Sequence, residues 1–282
     1  MEIFISDLDG TLLNKRGSFS ENTINILRPL IKNGLHFTVA TARTPFSAIP
    51  ISKILAIKDY MVLLNGAVLY DPVKMCFFHP VELGREAMKA LQEAEQEGIQ
   101  GMLFAMRGNE LCVYPGKVKK HLWDGYFDFS QTAGILSVCR EVPEISARDL
   151  QNEPVIYGLY MDDKQETLAA MKEKLSKRSG LALDFYKDQY TKERWCLEIC
   201  SGNASKGRAV ESLRTMMGGG RFTAFGDSRN DISLFQACEK AFAVENACEE
   251  LKQMANGILL DNERDGVARY IQRICQRNAR EL

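Results

Sequence analysis

Four short stretches carry side chains that could do chemistry together: Asp7-Leu8-Asp9-Gly10-Thr11, Thr41-Ala42-Arg43, Ser205-Lys206-Gly207 and Gly226-Asp227-Ser228-Arg229-Asn230-Asp231. They offer carboxylates, a hydroxyl, an ammonium and an amide. Carboxylate oxygens are hard ligands suited to Mg²⁺, and the other groups are donors suited to phosphate oxygens. A magnesium-bound phosphate would need this set. Taken singly, each stretch has a plainer reading. The first is a turn at a strand end, where Asp and Gly are common. Thr41 is a structural hydroxyl, Lys206 a solvated side chain near a helix start, and the last stretch a turn with an N-cap. Their joint occurrence favours the chemical reading.

The elements that must position them follow from the apolar pattern. "IFIS" is a short buried strand ending at Asp7. Ser20 is placed to cap a helix in which Ile24, Leu27, Leu30 and Ile31 recur at helical spacing before Gly34, with Pro29 kinking or opening a turn. "LHFTVATA" and "YMVLLNGAVLYD" read as two further strands. After residue 200 the rhythm resumes. "SKGRAVESLRTMM" is a helix, "RFTAFGDS" a strand and loop, and "NDISLFQAC" a helix. "KAFAVEN" and "NGILLDN" are strands separated by a helix carrying Leu251 and Met254. Val267, Tyr270, Ile271 and Ile274 mark a final amphipathic helix. Apolar strands alternating with helices predict an α/β fold, a mostly parallel, Rossmann-like sheet covered on both faces. Ligands bind such sheets beyond the carboxyl ends of the strands, where the four stretches fall.

The middle reads differently. Residues 85–97 form a helix pattern ended by Gly98, and "GMLFAMRGNELCVY" is a hairpin around Gly108-Asn109. "VIYGLYM" is a strand, followed by a helix with Leu168, Met171 and Leu175 that stops near Gly180. "LALDFY" and "RWCLEIC" are alternating strands. This predicts an α+β unit, mainly antiparallel, inserted at 83–200 into a core of 1–82 and 201–282.

Composition narrows the function classes. The 282 residues carry a net charge of −1, which argues against a dedicated nucleic-acid or anionic-membrane surface. The most basic run, Lys117 to His121, reads as a solvated face. No apolar stretch approaches the roughly 20 residues that span a bilayer, and no signal-peptide pattern is seen. The eight cysteines include no Cys-x-x-Cys, so they are expected to be reduced core residues of a cytoplasmic protein. Three isolated histidines leave little for a zinc cluster or a serine–histidine nucleophile. No obligate protein partner is evident.

With "DLDGT", "ATAR", "SKG" and "GDSRND" in this order, the chain resembles the haloacid dehalogenase superfamily phosphatases, and most closely the Cof-type subfamily of sugar-phosphate phosphatases. "LLNGAVLYD", "AVENACEELKQMAN" and "DNERDGVARYI" are similar to other signatures of that subfamily, and the insertion fits its type IIB cap. Ala42 stands where the subfamily usually has glycine. It keeps the backbone N–H, so only a slight steric change is expected.

The resemblance implies an Mg²⁺-dependent phosphatase for small phosphorylated metabolites, with Asp7 as nucleophile and Asp9 as acid and base. The chemistry agrees. A phosphate monoester is very inert, and attack by an aspartate splits one hard displacement into two easier ones. Asp9 would protonate the leaving alcohol and then take a proton from water, which calls for a pKa raised relative to that of Asp7. The implied metal ligands are the Asp7 carboxylate, the Asp9 carbonyl and the Asp227 carboxylate, with Asp231 a ligand or just behind. Thr41, Lys206, Asn230 and the Leu8 and Ala42 N–H groups would hold phosphate oxygens. Arg194, Trp195 and the Lys117–His121 run are candidates for reading the leaving group, although a tryptophan in an alternating strand more often belongs to the core. Two alternatives stay open: a phosphomutase with the same carboxylate pair, and a non-catalytic binder of a phosphorylated ligand.

Overall fold

The computed structural model describes residues 1–96, 99, 101–115, 122, 139–141, 150, 152–188 and 194–278. The chain divides into two compact units, one of residues 1–66, 70–74 and 205–282 and the other of 67–69 and 75–204.

The first unit is built on a five-stranded sheet in the order Gly257–Leu259, Lys240–Val244, Arg221–Gly226, Glu2–Ser6, His36–Val39. Every pairing in it is parallel, as the continuous apolar runs predicted. Ile3, Ile5, Phe222, Ala224 and Phe225 are fully buried, so this sheet is covered on both faces. Phe4, Phe225 and Phe242 stack in a row across three strands, and Tyr270 of the last helix closes on Phe242 with ring centres 4.5 Å apart. The chain passes from Glu2–Ser6 outward to His36–Val39, then returns to place Arg221–Gly226 on the opposite flank of the first strand. The strand order therefore reverses between Glu2–Ser6 and Arg221–Gly226, the switch point beyond whose carboxyl ends open α/β sheets bind ligands. Ser6 pairs with Phe225, which brings Asp7 and the Gly226-Asp227 stretch out side by side.

Helix ends follow local rules. Ser20 caps the helix Glu21–Lys32 by accepting from the Thr23 N–H at 2.9 Å. The helix runs through Pro29 as one element, and the Asn33 N–H bonds to the Pro29 carbonyl at its end. Asp265, just before the last helix Gly266–Asn278, accepts from Asn22 and Thr23 and so ties two helices together. The sequence reading named no helix at Pro45–Leu55, where Pro45 starts an element and Pro50 lies within it. Nor did it break "YMVLLNGAVLYD", which splits into Met61–Leu63 and Val68–Asp71 around a turn.

The second unit has a six-stranded sheet ordered Leu181–Lys187, Trp195–Ser201, Val155–Asp162, Gly101–Arg107, Glu110–Pro115, Cys139–Glu141. Pairing is antiparallel apart from the last pair, whose short parallel strand was not foreseen. Gly108-Asn109 makes the expected two-residue turn, since Arg107 pairs with Glu110. The helices Arg85–Gln96 and Gln165–Ser176 pack Leu91, Leu168, Met171 and Leu175 into one core with Leu103, Leu197 and Ile199. Gly98 and the Lys117–His121 run lie outside the described residues. No helix among the described residues is long and apolar enough to cross a membrane.

Candidate active site

All four stretches meet beyond the carboxyl end of the parallel sheet. Lys206, the first residue of the helix Lys206–Met216, is buried rather than solvated. Its Nζ donates to Asp7 Oδ1 at 2.6 Å and to Asp231 Oδ1 at 2.7 Å. Burial works against its charge, yet the Asp231 and Asp7 carboxylates hold the ammonium's pKa above the ordinary lysine range.

Asp231 is the hub. It is fully buried, and its Oδ2 accepts from the Asp227 and Ser228 N–H groups at 3.0 and 3.1 Å. Through Asp231 the Lys206 ammonium and the Asp227 loop become one rigid arrangement. Asp227 Oδ1 accepts from the Thr11 hydroxyl at 3.0 Å, joining the first and fourth stretches. Gly10 has φ +77°, and a Cβ there would stand 2.4 Å from Asp227 Oδ2, so only glycine allows the approach.

The electrostatics of this cluster are unbalanced. Asp7, Asp227 and Asp231 bring ligand oxygens within 4.8 Å of one another, with Lys206 the ammonium in direct contact with two of them. Burial pushes the Asp7 carboxyl well above the usual range; Lys206 opposes this, while Asp231, Asp227 and Asp9 add to it. Asp227 is pushed up to about 7 by burial and then by Asp231. Hard oxygen donors carrying more negative charge than their ammonium cancels are what a divalent cation such as Mg²⁺ fits.

The two aspartates of the first stretch sit in different surroundings. Asp7 is buried, and that burial among carboxylates raises its carboxyl pKa. Asp9 is partly exposed and clamped by Arg43, whose Nε and Nη2 each donate to a carboxylate oxygen at 2.6 Å. Arg43, within the second stretch, has no role that its sequence position alone assigns. Its signal was available: arginine presents a planar fork suited to a carboxylate. Thr41 is buried, and its Oγ1 accepts from the Arg43 N–H at 3.1 Å. Asn230 lies in the same cluster, its Nδ2 bonded to Asn65 Oδ1 at 3.3 Å. Leu8 is buried, and its carbonyl accepts the Leu12 and Leu13 N–H groups that turn the chain after the aspartates.

Arg194 and Trp195, the described candidates in the second unit, make internal contacts. Arg194 is buried, pairs with Asp188 at 2.6 Å and donates to the Leu122 carbonyl at 2.7 Å. Trp195 stacks on Phe185 with ring centres 5.2 Å apart and packs against the core.

Residues 4–271 match the haloacid dehalogenase-like hydrolase family. The chain is 27% identical to Phosphatase YwpJ of Bacillus subtilis, over 97% of this chain and 100% of that one. It is 25% identical to the 5-amino-6-(5-phospho-D-ribitylamino)uracil phosphatase YwtE of the same organism, covering 97% and 98% of the two chains. Among solved structures, a haloacid dehalogenase-like hydrolase from Bacteroides thetaiotaomicron superposes with a TM-score of 0.73 over 97% of this chain and 99% of that one, at 22% identity.

Proposed function

The chain belongs to the haloacid dehalogenase-like hydrolases and is a phosphatase of that family, and from this premise we propose that it hydrolyses small phosphorylated metabolites, sugar or polyol phosphates foremost, through an aspartyl-phosphate on Asp7. The observation that carries this reading is the Asp7–Lys206–Asp231 arrangement beside Asp227, at the switch point of a parallel sheet. The ribityl phosphate in the name of one relative supports the substrate class.

Asp7 Oδ1 is held by Lys206, leaving Oδ2 as the attacking atom. Oδ2 bonds to phosphorus as the bond to the leaving oxygen breaks, and that oxygen takes a proton from Asp9. Water then attacks phosphorus and gives a proton to Asp9. The bond from phosphorus to Asp7 breaks, and inorganic phosphate leaves. The Lys206 ammonium, Thr41, Asn230 and the Leu8 and Ala42 N–H groups are assigned to the phosphate oxygens. Asp7, Asp227 and the Asp9 carbonyl would hold Mg²⁺, with Asp231 chiefly fixing Asp227 and Lys206. Bound there, the cation offsets repulsion between the nucleophile and the phosphate dianion. We assign residues 83–200 as the cap that reads the leaving group, and the seven free cysteines described support a reducing, cytoplasmic setting.

A panel of sugar, polyol, nucleotide and cofactor phosphates, assayed for phosphate release with and without Mg²⁺, tests the reading. Net release that requires the metal but no bisphosphate activator supports it. Isomerisation without release would make the protein a mutase, and inertness on every ester would make it a binder.

Arg43 donates to both Asp9 oxygens and so fixes the orientation of the carboxyl proposed to pass a proton to the leaving oxygen. Replacing Arg43 by Met is expected to disorder Asp9 and to lower kcat about tenfold to a hundredfold on alkyl phosphates. The loss should be much smaller on p-nitrophenyl phosphate, whose leaving group needs no proton.

The raised Asp227 carboxyl sets a pH dependence. Its pKa is about 7 in the folded chain, against an ordinary 3.8. As pH climbs between those values, the folded state still holds a proton that the unfolded chain has lost, so metal-free protein loses stability toward neutrality. Mg²⁺ takes the proton's place, and its increment in melting temperature is expected to be larger at about pH 8 than at about pH 6. Equal increments would remove Asp227 from the ligand set.

A further inference from the structure

Between the strands Met61–Leu63 and Val68–Asp71, successive residues adopt left-handed backbone: Leu64 at φ 52°, Asn65 at 56° and Gly66 at 93°. That region is unfavourable for a bulky side chain, tolerated by Asn and free for Gly. Leu64 is fully buried there. Such a turn persists where surrounding contacts over-determine it, and strained backbone concentrates at functional sites.

Here the turn touches three of the four stretches that form the site. The Leu64 N–H donates to the Arg43 carbonyl at 3.3 Å, and the Asn65 N–H to the Thr41 carbonyl at 3.0 Å. Gly66 lies against the start of the Lys206 helix, where a Cβ would stand 2.3 Å from the Ser205 carbonyl oxygen. The Asn65 side chain reaches Asn230, whose Nδ2 donates to Asn65 Oδ1 at 3.3 Å. Asn230 Oδ1 accepts from the Ser228 hydroxyl at 2.7 Å. The amide is thus held at both ends, with its nitrogen toward Asn65.

We propose that Asn65 is a positioning residue for the phosphate site, fixing the Asn230 amide so that its second N–H hydrogen is presented to a phosphate oxygen. An amide nitrogen carries two donors, and Asn65 takes one of them. The neighbouring backbone contacts keep Thr41 in register with Asn230, so donors from two distant segments meet one anion already aligned. The inference rests on the reading of Asn230 as a phosphate ligand.

The test titrates inorganic phosphate, in the presence of Mg²⁺, into wild type, Asn65→Gly, Asn230→Ala and the double variant, with affinity read by calorimetry. Glycine accepts the left-handed backbone, so Asn65→Gly removes the side chain without forcing the turn. Asn65→Gly is expected to weaken phosphate about tenfold, and the double variant to bind no more weakly than Asn230→Ala alone. A residue acting only on general stability would instead give losses that multiply, and that result overturns the inference. So does an Asn65→Gly protein that binds like wild type while Asn230→Ala is impaired. If Asn230→Ala itself binds like wild type, the phosphate reading of Asn230 falls, and the inference falls with it.

Discussion

Asp7→Asn is expected to lower kcat by about 10⁴-fold or more, while leaving the metal-free protein at least as stable as wild type. The amide matches the carboxylate in size but is not a nucleophile, so the first displacement proposed for Asp7 would have no attacking group. Stability should go the other way. The wild-type carboxyl is buried, and Asp231, Asp227 and Asp9 press on it against the pull of Lys206. Removing that charge relieves repulsion, while Lys206 keeps its bond to Asp231 at 2.7 Å. Initial rates on the best ester of the panel and melting curves without metal check both halves. A variant retaining even a tenth of wild-type turnover would contradict the first, and a large drop in melting temperature the second.

Lys206→Met is expected to damage both folding and catalysis. The ammonium is fully buried and bridges Asp7 and Asp231 at 2.6 and 2.7 Å. Removing one partner of a buried ionic network leaves the others uncompensated, a cost of about 3–5 kcal/mol. Removing a positioned donor to the developing charge costs about 10²–10³ in kcat besides. A second change separates the two effects. In a Lys206→Met, Asp7→Asn chain fewer carboxylates are left without a counter-charge, so part of the lost stability should return while activity stays absent. Denaturant unfolding of the single and double variants reads this directly. A Lys206→Met protein as stable as wild type would mean that the buried carboxylates do not depend on the ammonium.

The parallel core could be read from sequence because its strands are short continuous apolar runs, each followed by a polar stretch. "IFIS" before Asp7 and "RFTAFG" before Asp227 are such runs, and their pairing places the two aspartates together. What escaped was non-local or broken. Cys139–Glu141 is a three-residue strand whose partner lies far back in the chain. Pro45 and Pro50 disrupt the pattern of a helix that begins on one and contains the other. The turn Leu64–Gly66 sits inside an apolar run that reads as one strand, and only the backbone reveals its left-handed residues. The site shows the same limit. Residue types and order singled out Asp7, Lys206 and the Asp227–Asp231 stretch, which the fold brings into contact. Arg43 against Asp9, and Asn65 against Asn230, emerge only when segments far apart in sequence are brought within bonding distance. The raised carboxyl of Asp7 could not be read from sequence, since burial among carboxylates is a property of the folded site.

The most direct measurement is of the covalent intermediate. Wild-type protein mixed with a good phosphoester substrate and Mg²⁺, quenched in acid within one turnover and digested, should yield the peptide containing Asp7 heavier by one phosphoryl group. The added mass should disappear on treatment with hydroxylamine, as an acyl phosphate requires, and should be absent from Asp7→Asn. Turnover with no label on that peptide, or with the phosphoryl group on another residue, would contradict Asp7 as the nucleophile.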